Sequence, residues 1–321
     1  MAIKDEIITR IKRNYTAENI CFELNLTLEE LYNHIYELRN ERNIYYYANI
    51  CSDANIMFSK KTDPLESDSV FTIPNGEFKM TFISDPHVGN IFDNISRFAA
   101  IEDFNDSNDI KVLVCTGDLV DGPKHENQSV DKRLNDLDSQ LDELASFYPY
   151  MPRANIVIVG DHDTDYRTID GYNTYKVLKE CRPDIKLYGS ASGLIKVNNK
   201  EIVICHNVKD RNAQSMIIDD RMVVSGHSHI YYNHTSYVNN NPVIRLVCPS
   251  MSNLPLHNST TPGFLTFTFT CSSNQVVGLL IDNYTFEGPT ANILHNGNVA
   301  YQFQTNKQFS SERDMQRKKK K

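Results

Sequence analysis

Acidic and imidazole side chains recur at the ends of apolar runs in this 321-residue chain. KMTFISD closes on Asp85 and His87, IKVLVCTGD on Asp118 and Asp121, and ANIVIVGD on Asp161, His162 and Asp163. EIVICHN ends at His206, and RMVVSGHSH at His227 and His229. One such ending carries little weight, because a lone histidine usually satisfies a core hydrogen bond. Five in succession mean convergence: in an α/β sheet the carboxyl ends of parallel strands share one edge, where ligand sites form. Three carboxylates and four or five imidazoles gathered there would repel one another or strand unpaired polarity unless positive charge sat among them. Divalent metal resolves the conflict. Oxygen and nitrogen donors without thiolates suit Mn, Fe, Zn, Ni or Mg rather than a structural zinc cage.

The elements that must position these residues are legible around them. Short apolar runs alternate with helical stretches near residues 95–104, 130–148 and 174–181, the texture of an α/β domain with a largely buried sheet. GFLTFTFT and QVVGLLI read as antiparallel strands joined by residues 271–274. Ahead of this body, residues 1–45 read as three helices. Ile3, Ile7, Ile8 and Ile11 repeat at helical spacing. Thr16 is an N-cap for the second helix. Thr27 and Glu30 form a capping box for the third, with Leu28, Leu31, Tyr32, Ile35 and Leu38 inward. Two short helices, a turn at Asn25 and a longer helix resemble a helix-turn-helix domain, with a wing strand following from Asn43 to Tyr47. Residues 59–69 lack periodicity and read as a linker. The expected organisation is a helix-turn-helix-like domain at 1–50, a linker and lead-in strand at 51–77, the main body at 78–285, and a C-terminal extension with a basic tail at 286–321.

Composition narrows the function classes. Hydrophobic residues make up 40% and charged residues 23%, the balance of a soluble chain with a buried core. No apolar run approaches a membrane span, which excludes an integral membrane protein and a membrane partner. Charges run through the first twenty residues, so no signal peptide is expected. Seven cysteines without CxxC spacing predict free thiols in a reducing, cytoplasmic setting. A net charge of -8 gives no global basic field to recruit DNA or RNA. The third helix carries Glu29, Glu30 and Glu37 against Arg39, poor for approaching a polyanion. The N-terminal domain is thus open to a protein contact as well as to nucleic acid, and the tail from Arg317 to Lys321 reads as solvated.

The order D-x-H, G-D-x-x-D, G-N-H-D/E, H, G-H-x-H resembles that of the calcineurin-like metallophosphoesterases over roughly residues 78–285. The resemblance implies an α/β fold, a β-sandwich flanked by helices, here preceded by the small helical domain. It also implies two divalent metal ions, manganese foremost. By position, one metal falls to Asp85, His87 and His229, the other to Asp161, His206 and His227, with Asp118 bridging both. His162 matches the family's proton donor to the leaving oxygen, and Asp163 is expected to orient it. Two cations about 3.5–4 Å apart would hold a phosphoester substrate and activate water, so no serine or cysteine nucleophile is needed.

Two departures refine the expectation. Asp161 stands where the family usually has Asn, so the ligand set brings about three negative charges against four positive ones. Gly122 follows Asp121 where protein phosphatases of the family place Arg, and Asp163 replaces their Glu. A phosphodiester, nucleic acid or a nucleotide, is therefore the expected substrate; a phosphomonoesterase and a non-catalytic binding scaffold are the alternatives. Elsewhere, Cys115 and Cys205 read as core residues and His125, His234 and His257 as solvated. Arg167 and Arg211 read as surface ion pairs able to meet phosphate. Tyr231 and Tyr232 suit either stacking on a base or rim packing.

Overall fold

Short-range bonds shape the N-terminal region. In the computed structural model, residues 3–42, 47–50, 56–59, 68–122, 132–164, 178, 181–188, 192–209, 211–217, 221–238, 241–254, 261–288 and 291–303 are described. Helix α1 (Ile3–Lys12) precedes α2 (Ala17–Leu24), whose cap Thr16 accepts from the Asn19 N–H. Asn25 ends α2 in the left-handed region at φ 51°. Thr27 and Glu30 then exchange capping bonds at the start of α3 (Leu28–Arg42), as the sequence predicts. Ile7, Ile11, Ile20, Leu31, Tyr32 and Ile35 bury together beneath these helices. The wing falls slightly later than expected, as an antiparallel hairpin of β1 (Tyr47–Ile50) and β2 (Ile56–Ser59). Residues 43–46 and 60–67 lie outside the described residues.

The body is a sandwich of two sheets. Strands β3 (Asp68–Phe71) and β4 (Gly76–Ile83) enter different sheets. With β4 run β5 (Val112–Cys115), β6 (Ala154–Val157) and β7 (Ile185–Leu187), all parallel. The other sheet takes β8 (Ser192–Val197), β9 (Lys200–Cys205), β10 (Met222–Ser225), β11 (Tyr232–Val238) and β12 (Asn241–Val247). An antiparallel meander, β13 (Gly263–Ser272), β14 (Gln275–Glu287) and β15 (Asn292–Gln302), attaches to the free side of β4. The C-terminal extension after residue 285 thus supplies a full strand to the seven-stranded sheet.

Strand alternation sorts the apolar residues into layers. Met80, Phe82, Val112, Val114 and Ile156 meet Ile202, Ile204, Val224 and Leu246 between the sheets. Their neighbours Ile83, Leu113, Cys115 and Val157 face outward, under α4 (Ser96–Ser107) and α5 (Leu137–Phe147). After β6 comes the single turn α6 (Asp161–Thr164), and α7 (Arg211–Met216) covers Val203, Cys205 and Val223 on the opposite flank. Central strands covered on both faces explain why they read as unbroken apolar runs. The order is helix, sheet, sheet, helix.

Some expectations shift. The helix expected at 130–148 starts at Leu137, because Asp136 caps it by accepting from the Ser139 N–H. Of the stretch 174–181, only residues 178 and 181 are described. Strands β11 and β12 escape the apolar-run reading because an edge strand such as YNHTSYV is half polar. No described helix is long and apolar enough to cross a membrane.

Arg182 joins the two parts of the chain. Its guanidinium lies 3.7 Å from the Tyr150 ring centroid, and Tyr150 stacks on Tyr32 of α3 at 5.3 Å. Fully buried, Arg182 pairs through two 2.7 Å bonds with Asp184 and donates to the carbonyls of Ala145, Tyr148 and Pro149. Arg182→Leu would leave a buried carboxylate and three carbonyls without this partner. We expect a loss of about 3–5 kcal/mol, read as a lower urea midpoint.

Candidate metal centre

The strand ends converge through tight turns. Asp85 and His87 follow β4, Asp118 follows β5, and His227 and His229 follow β10, all in the left-handed region with φ between 48° and 70°. Such backbone costs of order 1–3 kcal/mol per residue and persists only where its surroundings impose it. Here neighbouring loops are laced together. Asp85 N–H donates to the Gly117 carbonyl (3.0 Å), His87 N–H to that of Asp118 (3.1 Å) and Val88 N–H to that of Leu119 (2.9 Å). Two glycines admit the closest approaches. A Cβ at Gly160 would collide with the Asp118 carboxylate and amide nitrogen, and one at Gly226 with the Ser84 hydroxyl.

The result, among the described residues, is two adjoining donor groups, Asp85–His87–His229 and Asp118–His206–His227, with a third, His87–Asp118–His162, overlapping both; within each, the ligand atoms lie within 4.8 Å of one another. Asp85 Oδ1 lies 3.4 Å from His229 Nε2, and the Nε2 atoms of His87 and His229 are 3.1 Å apart. In the second group Asp118 Oδ2 lies 3.1 Å from His206 Nε2, and His227 Nδ1 is 3.3 Å from the same His206 nitrogen. The Asp118 oxygen is also 3.7 Å from His87 Nε2, so one carboxylate atom faces both groups. His162 adjoins it too, its ring 4.7 Å from that of His87.

The family model for calcineurin-like phosphoesterases matches residues 78–250, more than half of the chain. The chain belongs to this family. No curated protein matches it in sequence. Among solved structures, wild-type Vps29 from Entamoeba histolytica complexed with zinc is 18% identical, with a TM-score of 0.39, covering 70% of this chain and 99% of that one. Vacuolar protein sorting 29 from Cryptosporidium parvum is 12% identical, with a TM-score of 0.40, covering 71% and 99%.

Calcineurin-like phosphoesterases bind divalent metals, and the donor chemistry here fits such ions. Burial works against the charged forms of Asp85 and Asp118, yet His229 and His206 hold both carboxyls below their ordinary range. Burial likewise works against protonated His206, but Asp118 and Asp85 outweigh it and raise the imidazole to about 10. His87, where burial dominates over Asp118, is pushed down to about 3. Positive charge is therefore what the buried acids draw to this edge. His206 also donates from Nδ1 to the Thr116 carbonyl (2.9 Å), which aims Nε2 at Asp118. Among the described residues, the buried Nδ1 atoms of His87 and His229 have no hydrogen-bond partner. The facing Nε2 atoms of His87 and His229 suit a shared cation better than they suit each other.

Two expected site residues stand differently from the rest. Asp161 is 60% exposed, with Oδ2 3.5 Å from His227 Nδ1, and lies at the rim of the second group rather than within it. Asp163 is expected to orient His162, but Asp121 holds the imidazole instead. His162 donates from Nδ1 to the Asp121 carbonyl at 2.8 Å, and its backbone N–H donates to Asp118 Oδ1 at 3.0 Å. The buried Asp163 carboxylate instead accepts from the backbone N–H groups of Gly160 (2.9 Å) and Val120 (3.1 Å). It clamps the loops after β5 and β6 together, and the turn of α6 carries its side chain away from the imidazole.

Other supporting residues carried no motif signal. Asn90 donates to Asp121 Oδ1 (2.8 Å), and the half-buried Lys132 lies 3.3 Å from Asp121 Oδ2 while donating to the Gly122 carbonyl. Ser250 donates to the Asp85 carbonyl (2.8 Å), and the Ser84 hydroxyl donates to the Asp85 carboxylate. Of these residues, Asp121 alone is marked in the sequence, as the second acid of G-D-x-x-D.

Asp161 offers a test of the second group. Asp161→Asn keeps the shape and removes one negative charge at an exposed position, so the apo fold should keep its melting temperature. Affinity for Mn should fall at least about tenfold, the loss typical of disturbing a carboxylate in or beside a ligand set. Titration calorimetry on both proteins checks this; equal affinities would show that Asp161 takes no part in holding the ion.

Proposed function

We propose that this protein is a metal-dependent phosphodiesterase acting on nucleic acid or a nucleotide. The observation that carries the reading is the acid-rich donor edge, with Asp118 shared between two groups and Gly122 following G-D-x-x-D. A phosphomonoester carries close to two negative charges near neutral pH, because its second pKa is about 6. A diester carries one. With no guanidinium at position 122, and with Lys132 engaged by Asp121, the edge repels the diester less.

In this reading Asp85, His87 and His229 would hold one divalent ion and Asp161, His206 and His227 the other, with Asp118 between them and manganese the first choice. Bound ions would supply Lewis-acid polarisation of the phosphoryl group. The protein supplies the proton. His162 is anchored through Nδ1, which leaves Nε2 to carry an exchangeable proton. Burial opposes its protonation, but Asp118 and the Asp121 carbonyl raise its pKa above the ordinary value. A larger imidazolium fraction near neutral pH suits donation to a departing alkoxide. The N-terminal domain is assigned a protein contact, because Glu37 of α3 already pairs with Lys4 and the helix presents acids.

Hydrolysis of bis-p-nitrophenyl phosphate should exceed that of p-nitrophenyl phosphate in assays with Mn, Ni, Zn and Mg; a strong monoester preference would overturn the diesterase assignment. His162→Ala should retain its metal while losing roughly 10²–10⁴-fold in turnover for alkyl leaving groups, and much less for p-nitrophenolate. Parallel metal analysis checks the role, since metal loss in step with activity would make His162 a ligand.

A further inference from the structure

Strand alternation separates two tyrosines that follow the last histidine motif. Tyr231 packs against the core between the sheets, whereas Tyr232, the first residue of β11, is 57% exposed. His234 falls on the same face by the two-residue period and is also exposed. The two rings lie within 4° of parallel, with centroids 6.4 Å apart, close to the two-residue rise of a strand. They form a stepped aromatic surface along the edge strand of the six-stranded sheet. Its near end lies three residues from His229, a span of at most about 11 Å of backbone.

Exposed aliphatic side chains occupy comparable places on the other site loops. Ile91 follows His87 by four residues, Val208 follows His206 by two, and Ile230 adjoins His229; all three are exposed. With Tyr232 they make four of the ten large apolar side chains exposed among the described residues. Apolar side chains scattered singly over a surface need no explanation; these four share the loops that carry the proposed ligands and lie within four residues of a site histidine in sequence.

We infer that Tyr232 and His234 stack the base of the nucleoside joined to the scissile phosphate, with Ile91, Val208 and Ile230 completing an apolar rim. The inference rests on the phosphodiesterase reading and specifies its substrate as a nucleotidyl ester. A phenol and an imidazole present flat faces with polar edges, which match a heteroaromatic base better than an acyl chain. The net charge of -8 also opposes approach to an anionic lipid surface. Stacking tolerates any base, so recognition is of the nucleoside class rather than of one sequence.

The test uses the full chain loaded with Mn and two substrates of equal charge and leaving group, thymidine 5′-monophosphate p-nitrophenyl ester and ethyl p-nitrophenyl phosphate. The native protein should prefer the nucleotidyl ester. Tyr232→Ala should lower kcat/KM for that ester by about 5- to 150-fold, the range of one lost base stack, and lower it far less for the ethyl ester. Tyr232→Phe should restore the preference. A second readout is independent of turnover. The chain has no tryptophan, so Tyr232→Trp introduces a single indole whose emission should be quenched by thymidine 5′-monophosphate. Quenching without hydrolysis of any diester would uphold the stacking site and overturn the phosphodiesterase reading. Hydrolysis with equal losses for both esters, an alkyl preference, or an unquenched indole would overturn the stacking site and leave that reading intact.

Discussion

Two buried carboxylates, Asp85 and Asp118, face four imidazoles where the two sheets end, and the electrostatic demand of that cluster governs what surrounds it. Each acid must be compensated, since an unpaired buried charge is costly. Serine hydroxyls, backbone N–H groups and histidines meet part of the demand: His227 N–H and the Ser84 hydroxyl reach Asp85, and His162 N–H and His206 reach Asp118. The remainder attracts positive charge, as the raised His206 shows. A family that binds divalent ions uses this need directly.

Backbone strain is the cost of bringing such groups together. Five of the proposed ligands adopt left-handed conformations that residues with side chains ordinarily avoid. At about 1 kcal/mol or more each, the strain is comparable to much of a domain's net stability. It is offset by the rigid frame behind it: two sheets whose central strands are buried on both faces, so that their ends cannot retreat without opening a continuous core. The loop-to-loop bonds from Asp85 to Gly117 and from His87 to Asp118 extend parallel pairing past the strands, so the turns inherit the stiffness of the sheet. Asp163 adds a cross-brace there. Burial and the charge of Asp118 raise its pKa to about 6, despite the backbone donors that pull it down.

The same frame ties the N-terminal helices to the body. Tyr32 of α3 packs on Tyr150, and Arg182 covers Tyr150 while holding three carbonyls and Asp184. The helical domain is thus fastened through aromatic and guanidinium contacts rather than through the chain link alone. Those contacts lie at the end of α5 and the start of β7, away from the strand ends that carry the histidines. The arrangement gives the N-terminal domain a fixed seat without obstructing the edge where the donor groups lie.

Much of the design was legible in the chain itself. Apolar runs ending in acids and histidines encode both the strands and their shared edge, because burial on two faces demands continuous hydrophobicity and the ligand chemistry restricts residue type. The capping signals at Thr16 and Thr27 likewise specify helix starts, since their partners lie within three residues. What the tertiary structure alone decided are directions and distant partners. Asp163 and His162 are adjacent in sequence, yet the turn of α6 sends one side chain to Gly160 and Val120 and anchors the other on Asp121. Asn90 and Lys132 meet at Asp121 from segments 42 residues apart. Asp161 reads as one more metal ligand but stands at the rim, and Tyr231 and Tyr232 part to opposite sides at the start of β11. Local pattern determines which residues are available at an edge; the packing of loops against one another determines where each side chain points.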